Sequence, residues 1–157
     1  MERTYRRRSG GMTLIELVIV MVIVAIMASI AIPSYNSYVL KSHRTEAKTA
    51  LLDLASMEER YFSTQNVYSV LTTDLGYAGG WPVTVGSGYY QLQTPVVVPA
   101  VPPTAAVPGG TPATFSVTAL PIGVQLNDAA CASFTITSAG VKTATGTDPN
   151  ANVDCWN

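Results

Sequence analysis

The chain has 157 residues, 48% of them hydrophobic, a length that accommodates one ordinary domain and leaves no room for an added catalytic domain. Its charge is uneven: four arginines and one glutamate give the first eleven residues a charge of +3, whereas five cations and nine acidic residues give the remainder −4. An acidic remainder argues against general affinity for nucleic acid.

Residues 17–32 form an almost wholly apolar run, LVIVMVIVAIMASIAI, in which Ser29 is the only polar side chain. Extended back to Met12, the run would make about 31 Å of helix at ~1.5 Å per residue, close to the hydrocarbon thickness of a bilayer. The basic residues before it stay on the cytoplasmic side under the positive-inside rule. The sequence therefore predicts a membrane-spanning helix, with the rest of the chain exported.

A specific motif stands at the start of this run. Gly10 and Gly11 precede it, and Glu16 interrupts it where an unpaired carboxylate would cost on the order of a few kcal/mol. The string GGMTLIELVIVMVIVAIMASIAIPSY resembles the N-terminus of type IV prepilins, which carry a basic leader, a glycine, a hydrophobic first residue and a glutamate five positions into the mature chain. The resemblance implies cleavage after Gly11 by prepilin peptidase and N-methylation of Met12, which replaces the usual phenylalanine.

The same resemblance implies an assembly role for Glu16. A buried carboxylate and a newly freed α-amino group offset each other's desolvation better than either does alone. In this family the amine belongs to the first residue of a neighbouring subunit, here Met12. The pairing would set the axial register while the aliphatic faces pack into a shared filament core.

Two simpler interpretations of the apolar run compete with this one. Ser29-Ile30-Ala31 supplies small residues of the kind cut behind a secretory signal peptide, but Glu16 would be a needless cost inside such a segment. A plain single-span anchor explains the hydrophobicity and leaves Gly11 and Glu16 unaccounted for. The prepilin interpretation explains all three features.

Pro33 ends the uniform apolar run. Because proline lacks a backbone donor and clashes with the preceding turn, a helix kink or a locally unwound stretch is predicted near residues 28–32. The helix is expected to continue to Phe62, since apolar residues recur at three- and four-residue spacing and should pack on a sheet. This stripe comprises Ala47, Ala50, Leu51, Leu54, Met57, Tyr61 and Phe62, with Lys48, Asp53, Glu58 and Glu59 among the intervening positions.

The remainder has the pattern of a small β-rich domain. Residues 63–88 lack periodicity, which predicts a surface loop with short ordered pieces. Residues 99–112 carry five prolines and two glycines, which predicts an exposed connection without strands. An antiparallel sheet of three to four strands is predicted from four segments rich in β-branched and aromatic residues: Tyr89–Val98, Ala113–Leu120, Ala132–Thr137 and Val141–Ala144.

Cys131 and Cys155 lie on the side predicted to be exported, where an oxidising compartment favours a disulfide between them. Two isolated thiols are the alternative. A metal site is less favoured, because His43 is far away in sequence and two thiols alone leave a zinc site incomplete. The segment CASFTITSAGVKTATGTDPNANVDCW also resembles pilin heads in which a cysteine-bounded terminal loop is clamped to the sheet.

Two smaller groups of residues could bind ligands. In the first group, four oxygen-bearing side chains alternate along the chain, as in the first half of a calcium-binding loop. Val153 stands where such a loop needs glycine, and no glutamate follows it, so the sequence predicts a solvated turn instead. The second group is three cations on the predicted helix, which could contact DNA. Scattered cations on a helix normally form a solvated face, so the sequence disfavours DNA as a partner. The oxygen donors are Asp148, Asn150, Asn152 and Asp154, and the cations are His43, Arg44 and Lys48.

These patterns predict an α+β chain, and the resemblance to type IV prepilins implies the pilin fold, in which a long N-terminal helical spine packs on a small antiparallel sheet. Its expected parts are a basic leader at residues 1–11 that is removed, a transmembrane and polymerisation helix at 12–33, and a periplasmic head at 34–157. A chain with one histidine and no nucleophile–base set or phosphate loop is not expected to be an enzyme or to hold a cofactor or metal.

The function expected from the resemblance is that of a structural subunit of a type IV pilus for adhesion, twitching motility or DNA uptake. The chain would insert into the bacterial inner membrane and then enter an extracellular filament. Its partners would be other pilin subunits, prepilin peptidase and the pilus assembly machinery. A pseudopilin of a type II secretion system is the alternative, disfavoured by the cysteine pair. An exported soluble binding domain is a third possibility.

Overall fold

The computed structural model describes residues 11–107 and 109–157, and the predicted leader at residues 1–10 lies outside this range. The chain divides into two compact units, the first ending at Val39 and the second running from Leu40 to Asn157. The two units are described separately below, and the second is called the head.

One helix, α1, contains both the apolar run and the amphipathic stretch, and spans Leu14–Gln65. Pro33 lies inside it, and the helix is continuous over residues 28–32, so the predicted unwinding does not occur there. The Ser37 hydroxyl donates to the carbonyl oxygen of Pro33 over 3.0 Å, one helical turn back along the chain. A bend of the helix axis at Pro33 stays a prediction.

The described part of the head contains six strands: β1 (Val83–Val85), β2 (Tyr90–Leu92), β3 (Val96–Val98), β4 (Thr114–Pro121), β5 (Ser133–Thr137) and β6 (Lys142–Thr145). They form an antiparallel sheet in the order β1-β2-β4-β5-β6, with β3 also paired to β4. Two short 3₁₀ turns, Gly123–Asn127 and Ala129–Cys131, connect β4 to β5, and a one-turn helix, α2, spans Ala151–Asp154.

The predicted fold class is confirmed, but the described sheet has six strands where three to four were predicted. One predicted strand, Tyr89–Val98, is two strands, because Pro95 cannot donate to a ladder and separates β2 from β3. The other addition is β1, inside the segment predicted as a loop. Its three residues pair with β2 but are too few to show a period of two.

The core forms where α1 meets one face of the sheet. Ala47, Leu51 and Leu54 recur at helical spacing and are buried, as the stripe predicted. Glu58 continues this spacing and is fully buried, although the sequence analysis placed it among the polar intervening positions. Strands β2, β4, β5 and β6 contribute alternate residues to the core: Tyr90, Leu92, Phe115, Val117, Ala119, Phe134, Ile136 and Ala144.

Candidate functional site

The start of α1 carries the predicted processing and assembly motif. The amide of Glu16 donates to Thr13 Oγ1 over 3.3 Å, and the Thr13 amide donates to Glu16 Oε2 over 3.5 Å. This reciprocal pair is a capping box, which satisfies two of the donors that a helix start leaves open. The T-x-x-E spacing of this box is visible in the sequence, where only an assembly role was predicted for Glu16.

Gly11 and Met12 precede this cap and are both exposed. An ideal Cβ built on Gly11 meets no atom within 4 Å, so the described structure itself does not require glycine at this position. A glycine that the fold does not need is compatible with recognition by a processing enzyme. The cleavage and methylation predicted for Gly11 and Met12 stay predictions.

The helix after the cap is apolar and exposed in the single chain. Its most hydrophobic 18-residue window has a mean hydropathy of 2.9, and none of the window is buried. The core helix of a soluble protein would bury such a stretch. By length and composition this helix could cross a membrane, as a signal sequence also could.

The predicted disulfide is present in the head. Cys131 and Cys155 are joined with their Cα atoms 5.8 Å apart, and both are buried in the core. The alternatives of two free thiols or a thiol metal site are therefore wrong. The bond holds α2 beside β6, where the Trp156 indole donates to the carbonyl oxygen of Thr143 over 2.9 Å.

Two of the four oxygen-bearing side chains inside this disulfide loop accept hydrogen bonds from backbone amides. Asn152 Oδ1 accepts from the Ala144 amide over 2.8 Å, and Asp148 Oδ1 accepts from the Asn150 amide over 2.8 Å. The Asp148 bond, to an amide two residues on, stabilises a turn, whereas the Asn152 bond ties α2 to β6. Over residues 11–107 and 109–157, no group of three histidine, cysteine or acidic side chains is placed to hold a metal ion.

A buried amide that the sequence analysis missed ties the 3₁₀ turn to the helix. Gln125 is fully buried, and its Nε2 lies 3.2 Å from the Leu40 carbonyl oxygen, 3.1 Å from the Tyr90 hydroxyl and 3.0 Å from Asp128 Oδ2. Its Oε1 lies 2.9 Å from His43 Nδ1. Because an amide oxygen can only accept, Nδ1 of His43 carries the proton. One glutamine in GVQLN gave no sequence signal of this role.

The predicted cation patch is largely engaged within the head. Arg44 forms a two-bond pair with Asp128, each bond 2.7 Å, and this hydrogen bonding is the main reason that the pKa of Arg44 is raised. Lys48 donates to the carbonyl oxygens of Trp156 and Asn157 over 3.3 and 3.2 Å. Burial lowers the pKa of Lys48. These side chains hold the head together, so the predicted solvated face is only partly correct.

Two glutamates of α1 bind the segments that follow the helix. Glu58 Oε2 accepts from the Ser69 amide over 3.0 Å, whereas Oε1 has no hydrogen-bond partner among the described residues. Burial is the main cause of the raised pKa of Glu58. Glu46 accepts from the Ser87 amide and hydroxyl over 2.7 and 2.9 Å, and the amide bond is the main reason that its pKa is lowered.

Gly86 allows this second contact. It lies beside Ser87 in the turn between β1 and β2 and has a φ of +56°, which side-chain-bearing residues rarely adopt. A Cβ built on Gly86 would clash with Glu46 Oε2, so a larger residue would displace the carboxylate from the turn.

Two protein-family models match the chain. The family described as type IV minor pilin ComP, DNA uptake sequence receptor, matches residues 33–135. The prokaryotic N-terminal methylation motif matches residues 6–32, which include Gly11, Met12 and Glu16. The two matches meet at Pro33 and together cover the apolar helix and most of the head.

Individual proteins give similar results. The chain is 34% identical over 110 residues to the type IV major pilin protein PilA of Myxococcus xanthus (strain DK1622), an alignment that covers 66% of this chain and 49% of that protein. It is 35% identical over 115 residues to the fimbrial protein EcpC of Eikenella corrodens, covering 73% and 68%. A solved type IV pilin from Shewanella oneidensis superposes with a TM-score of 0.44 at 21% identity, covering 75% of this chain and 98% of that one.

Proposed function

Because this chain belongs to the type IV pilin family, we propose that it is a structural subunit of a type IV pilus, anchored in the inner membrane before it enters the filament. Members of this family are structural subunits and not enzymes. The observation that carries the proposal is the exposed apolar helix with one carboxylate in its first turn, directly behind a prepilin-type cleavage motif.

In the proposed maturation pathway, residues 1–11 are removed first and Met12 is then methylated. The helix over residues 12–33 then holds the subunit in the membrane, with residues 34–157 in the periplasm. Leu14 and Ile30 are 81% and 70% exposed in the single chain, and lipid would cover such side chains first. In the filament, the corresponding helices of other subunits would cover them.

Glu16 would act twice in this sequence. Its capping contact with Thr13 places the helix start two residues after the proposed cleavage site. Its charge then attracts the α-amino group of Met12 on a neighbouring subunit, because an unpaired carboxylate in hydrocarbon costs about 2.5–3.5 kcal/mol. Pairing recovers part of that cost only when the two subunits are in the correct axial register.

Substitution by glutamine separates these two roles. Glutamine caps a helix as glutamate does but carries no charge, so Glu16→Gln should preserve the helix start and abolish most filament assembly. Glu16→Ala should lose both roles, and Ser29→Ala, in the same helix, is the matched control. The measurements are sheared-filament yield, membrane content and the N-terminal mass of the processed chain.

The outcomes distinguish the mechanisms. Normal filament yield from Glu16→Gln would refute charge pairing and leave only the capping role. A mature chain that begins near Ile32 would establish a secretory signal peptide and remove the filament proposal. A chain that is processed after Gly11 yet stays in the periplasm, absent from surface filaments, would favour the pseudopilin alternative.

DNA uptake is the finer role that the match to the ComP family favours, although the sequence alone disfavoured DNA as a partner. Lys142 is exposed, as Lys41 and Arg60 also are, and its ammonium lies 5.5 Å from the centre of the Trp156 ring. Filaments that bind DNA through the head should release it as salt rises. Lys142→Gln filaments should retain less duplex DNA than wild type while yielding equal filament mass. Equal retention would remove Lys142 from the contact.

A further inference from the structure

Two exposed tyrosines follow the apolar run of α1. Tyr35 and Tyr38 are 68% and 72% exposed, whereas the five tyrosines of the head are buried or half-buried. The head therefore covers its own tyrosine rings, and the single chain leaves these two uncovered. Because residues three apart lie on the same side of a helix, the two rings form one exposed patch, the tyrosine pair.

The tyrosine pair stands where α1 changes from apolar to polar. Residues 12–34 contain no aromatic side chain, and the two rings follow the last residue of the apolar run, Ile32, among Ser34, Asn36 and Ser37. A tyrosine has an apolar ring and a polar hydroxyl, which suits a boundary between hydrocarbon and water. Tyrosine is enriched at membrane–water interfaces for this reason. The residues of this turn are therefore typical of the end of a membrane span.

The length of helix before the tyrosine pair matches the thickness of a bilayer. Tyr35 lies 21 residues after Leu14, the first residue of α1, which makes about 32 Å of helix at ~1.5 Å per residue. The hydrocarbon core of a bilayer is about 30 Å thick. A helix that begins at the cytoplasmic boundary of this core therefore carries the tyrosine pair to the periplasmic boundary.

The same length places the Glu16 carboxylate outside the hydrocarbon. Its Oε2 accepts from the Thr13 amide, so the carboxylate lies at the level of Thr13. Thr13 precedes Tyr35 by 22 residues, or about 33 Å at ~1.5 Å per residue. With the tyrosine pair at one boundary of a core about 30 Å thick, the carboxylate reaches headgroups and water at the other boundary. It thus avoids the cost of an unpaired charge in lipid.

We propose that the tyrosine pair anchors the periplasmic end of the membrane span in the lipid headgroup layer and thereby holds Glu16 at the cytoplasmic boundary. This inference rests on the proposed pilus function, which places the helix in the inner membrane before assembly. The partner is the lipid surface, because the pair continues an exposed apolar stretch with a mean hydropathy of 2.9. Glu16 stays hydrated in the anchored subunit, and its carboxylate is dehydrated only when the subunit leaves the bilayer.

The experiment uses the full-length chain in vesicles of phosphatidylcholine and phosphatidylglycerol. The vesicles contain one of two photoreactive lipids, whose diazirine lies either beside the headgroup or at the end of the acyl chain. Mass spectrometry locates the labelled residues, and the readout is the ratio of headgroup-side to chain-end label at residues 34–38. This ratio should be well above one, whereas residues 22–26, halfway along the span, should favour the chain-end lipid.

Removal of the rings provides the quantitative arm. Tyr35→Ala/Tyr38→Ala should lower the ratio at residues 34–38 about fivefold, the change that corresponds to a loss of about 1 kcal/mol in anchoring. Tyr35→Trp/Tyr38→Trp keeps a ring with a polar group at both positions and should leave the ratio near the wild-type value. Asn36→Ala, which truncates an exposed side chain in the same turn, is the matched control and should also leave it unchanged.

The anchoring can be overturned in three ways. Equal labelling of residues 34–38 by the two lipids, with residues 22–26 still labelled by the chain-end lipid, refutes it, leaves the membrane span intact and favours a neighbouring subunit as the partner of the two rings. A ratio that Tyr35→Ala/Tyr38→Ala does not change shows that the rings do not anchor the helix. Absence of label from both regions refutes the proposed membrane anchoring, and this inference falls with it.

Discussion

The helix before Val39 and the head after Leu40 use apolar side chains in opposite ways. Between Leu14 and Ile32 the large apolar side chains are exposed, whereas Leu51, Leu92 and Phe134 of the head are fully buried. The apolar helix therefore depends on lipid or on other subunits for burial, and the head supplies its own core. Changes in one region should leave the stability of the other unaffected.

The largest expected effect on the head is loss of the disulfide. Cys131→Ser/Cys155→Ser should lower the free energy of unfolding of the head by about 3 kcal/mol, because the bond closes a loop in the unfolded chain. Both tryptophans, Trp81 and Trp156, lie in the head, so their fluorescence during denaturation in detergent reports on this region alone. Membrane insertion and leader removal should remain at wild-type levels, and loss of insertion would show that the two regions are coupled.

The next effect concerns the buried amide. Gln125→Ala should cost about 2 kcal/mol of head stability, because it removes the amide that bonds the buried Tyr90 hydroxyl and Nδ1 of the half-buried His43. Leu126→Ala truncates the adjacent side chain, which is 67% exposed, and should change stability by less than about 0.5 kcal/mol. Equal losses from the two variants would contradict an anchoring role for Gln125.

A smaller effect is expected from Glu58 and depends on pH. Its pKa is raised by burial, so the folded head favours the protonated form more than the unfolded chain does. Stability is therefore greatest below the unfolded pKa and decreases as pH rises through the folded pKa. Glu58→Gln should remove this decrease, which denaturation at a series of pH values would measure.

Glu46 is the matched control for this titration. The pKa of Glu46 is lowered by the Ser87 contact, so its contribution to head stability depends on pH in the opposite way. This contribution is present above the unfolded pKa and is lost as pH falls through the folded pKa. Glu46→Gln should therefore reduce stability mainly at neutral pH. A Glu58→Gln head whose pH profile matches wild type would contradict the burial argument.

The smallest effect on head stability should come from Glu16. Glu16→Gln and Glu16→Ala alter a residue outside the head, so the free energy of unfolding of the head should stay within about 0.5 kcal/mol of wild type. Filament assembly is expected to fail in the same variants. A head destabilised by either change would show that the helix start and the head are energetically linked, and a loss of filaments could then have a folding cause.

The sequence by itself determined the features that depend on neighbouring residues. The apolar run and the helical stripe through Ala47, Leu51 and Leu54 are local patterns, and each predicted part of α1. The predicted strands at Ala113–Leu120, Ala132–Thr137 and Val141–Ala144 differ from β4, β5 and β6 by about one residue at each end. The two cysteines were predictable as a pair because exported chains oxidise their thiols and no third cysteine competes.

Tertiary structure decided which polar side chains became structural. Glu58 and Glu59 are adjacent in sequence, yet Glu58 is buried and Glu59 is exposed, because the first continues the stripe that packs on the sheet. Gln125 and His43 are 82 residues apart and meet only after β2, β4 and the 3₁₀ turn are placed. A local pattern carries no information about a contact at that separation, since a buried polar group is specified by its bonding partner and the fold brings that partner to it.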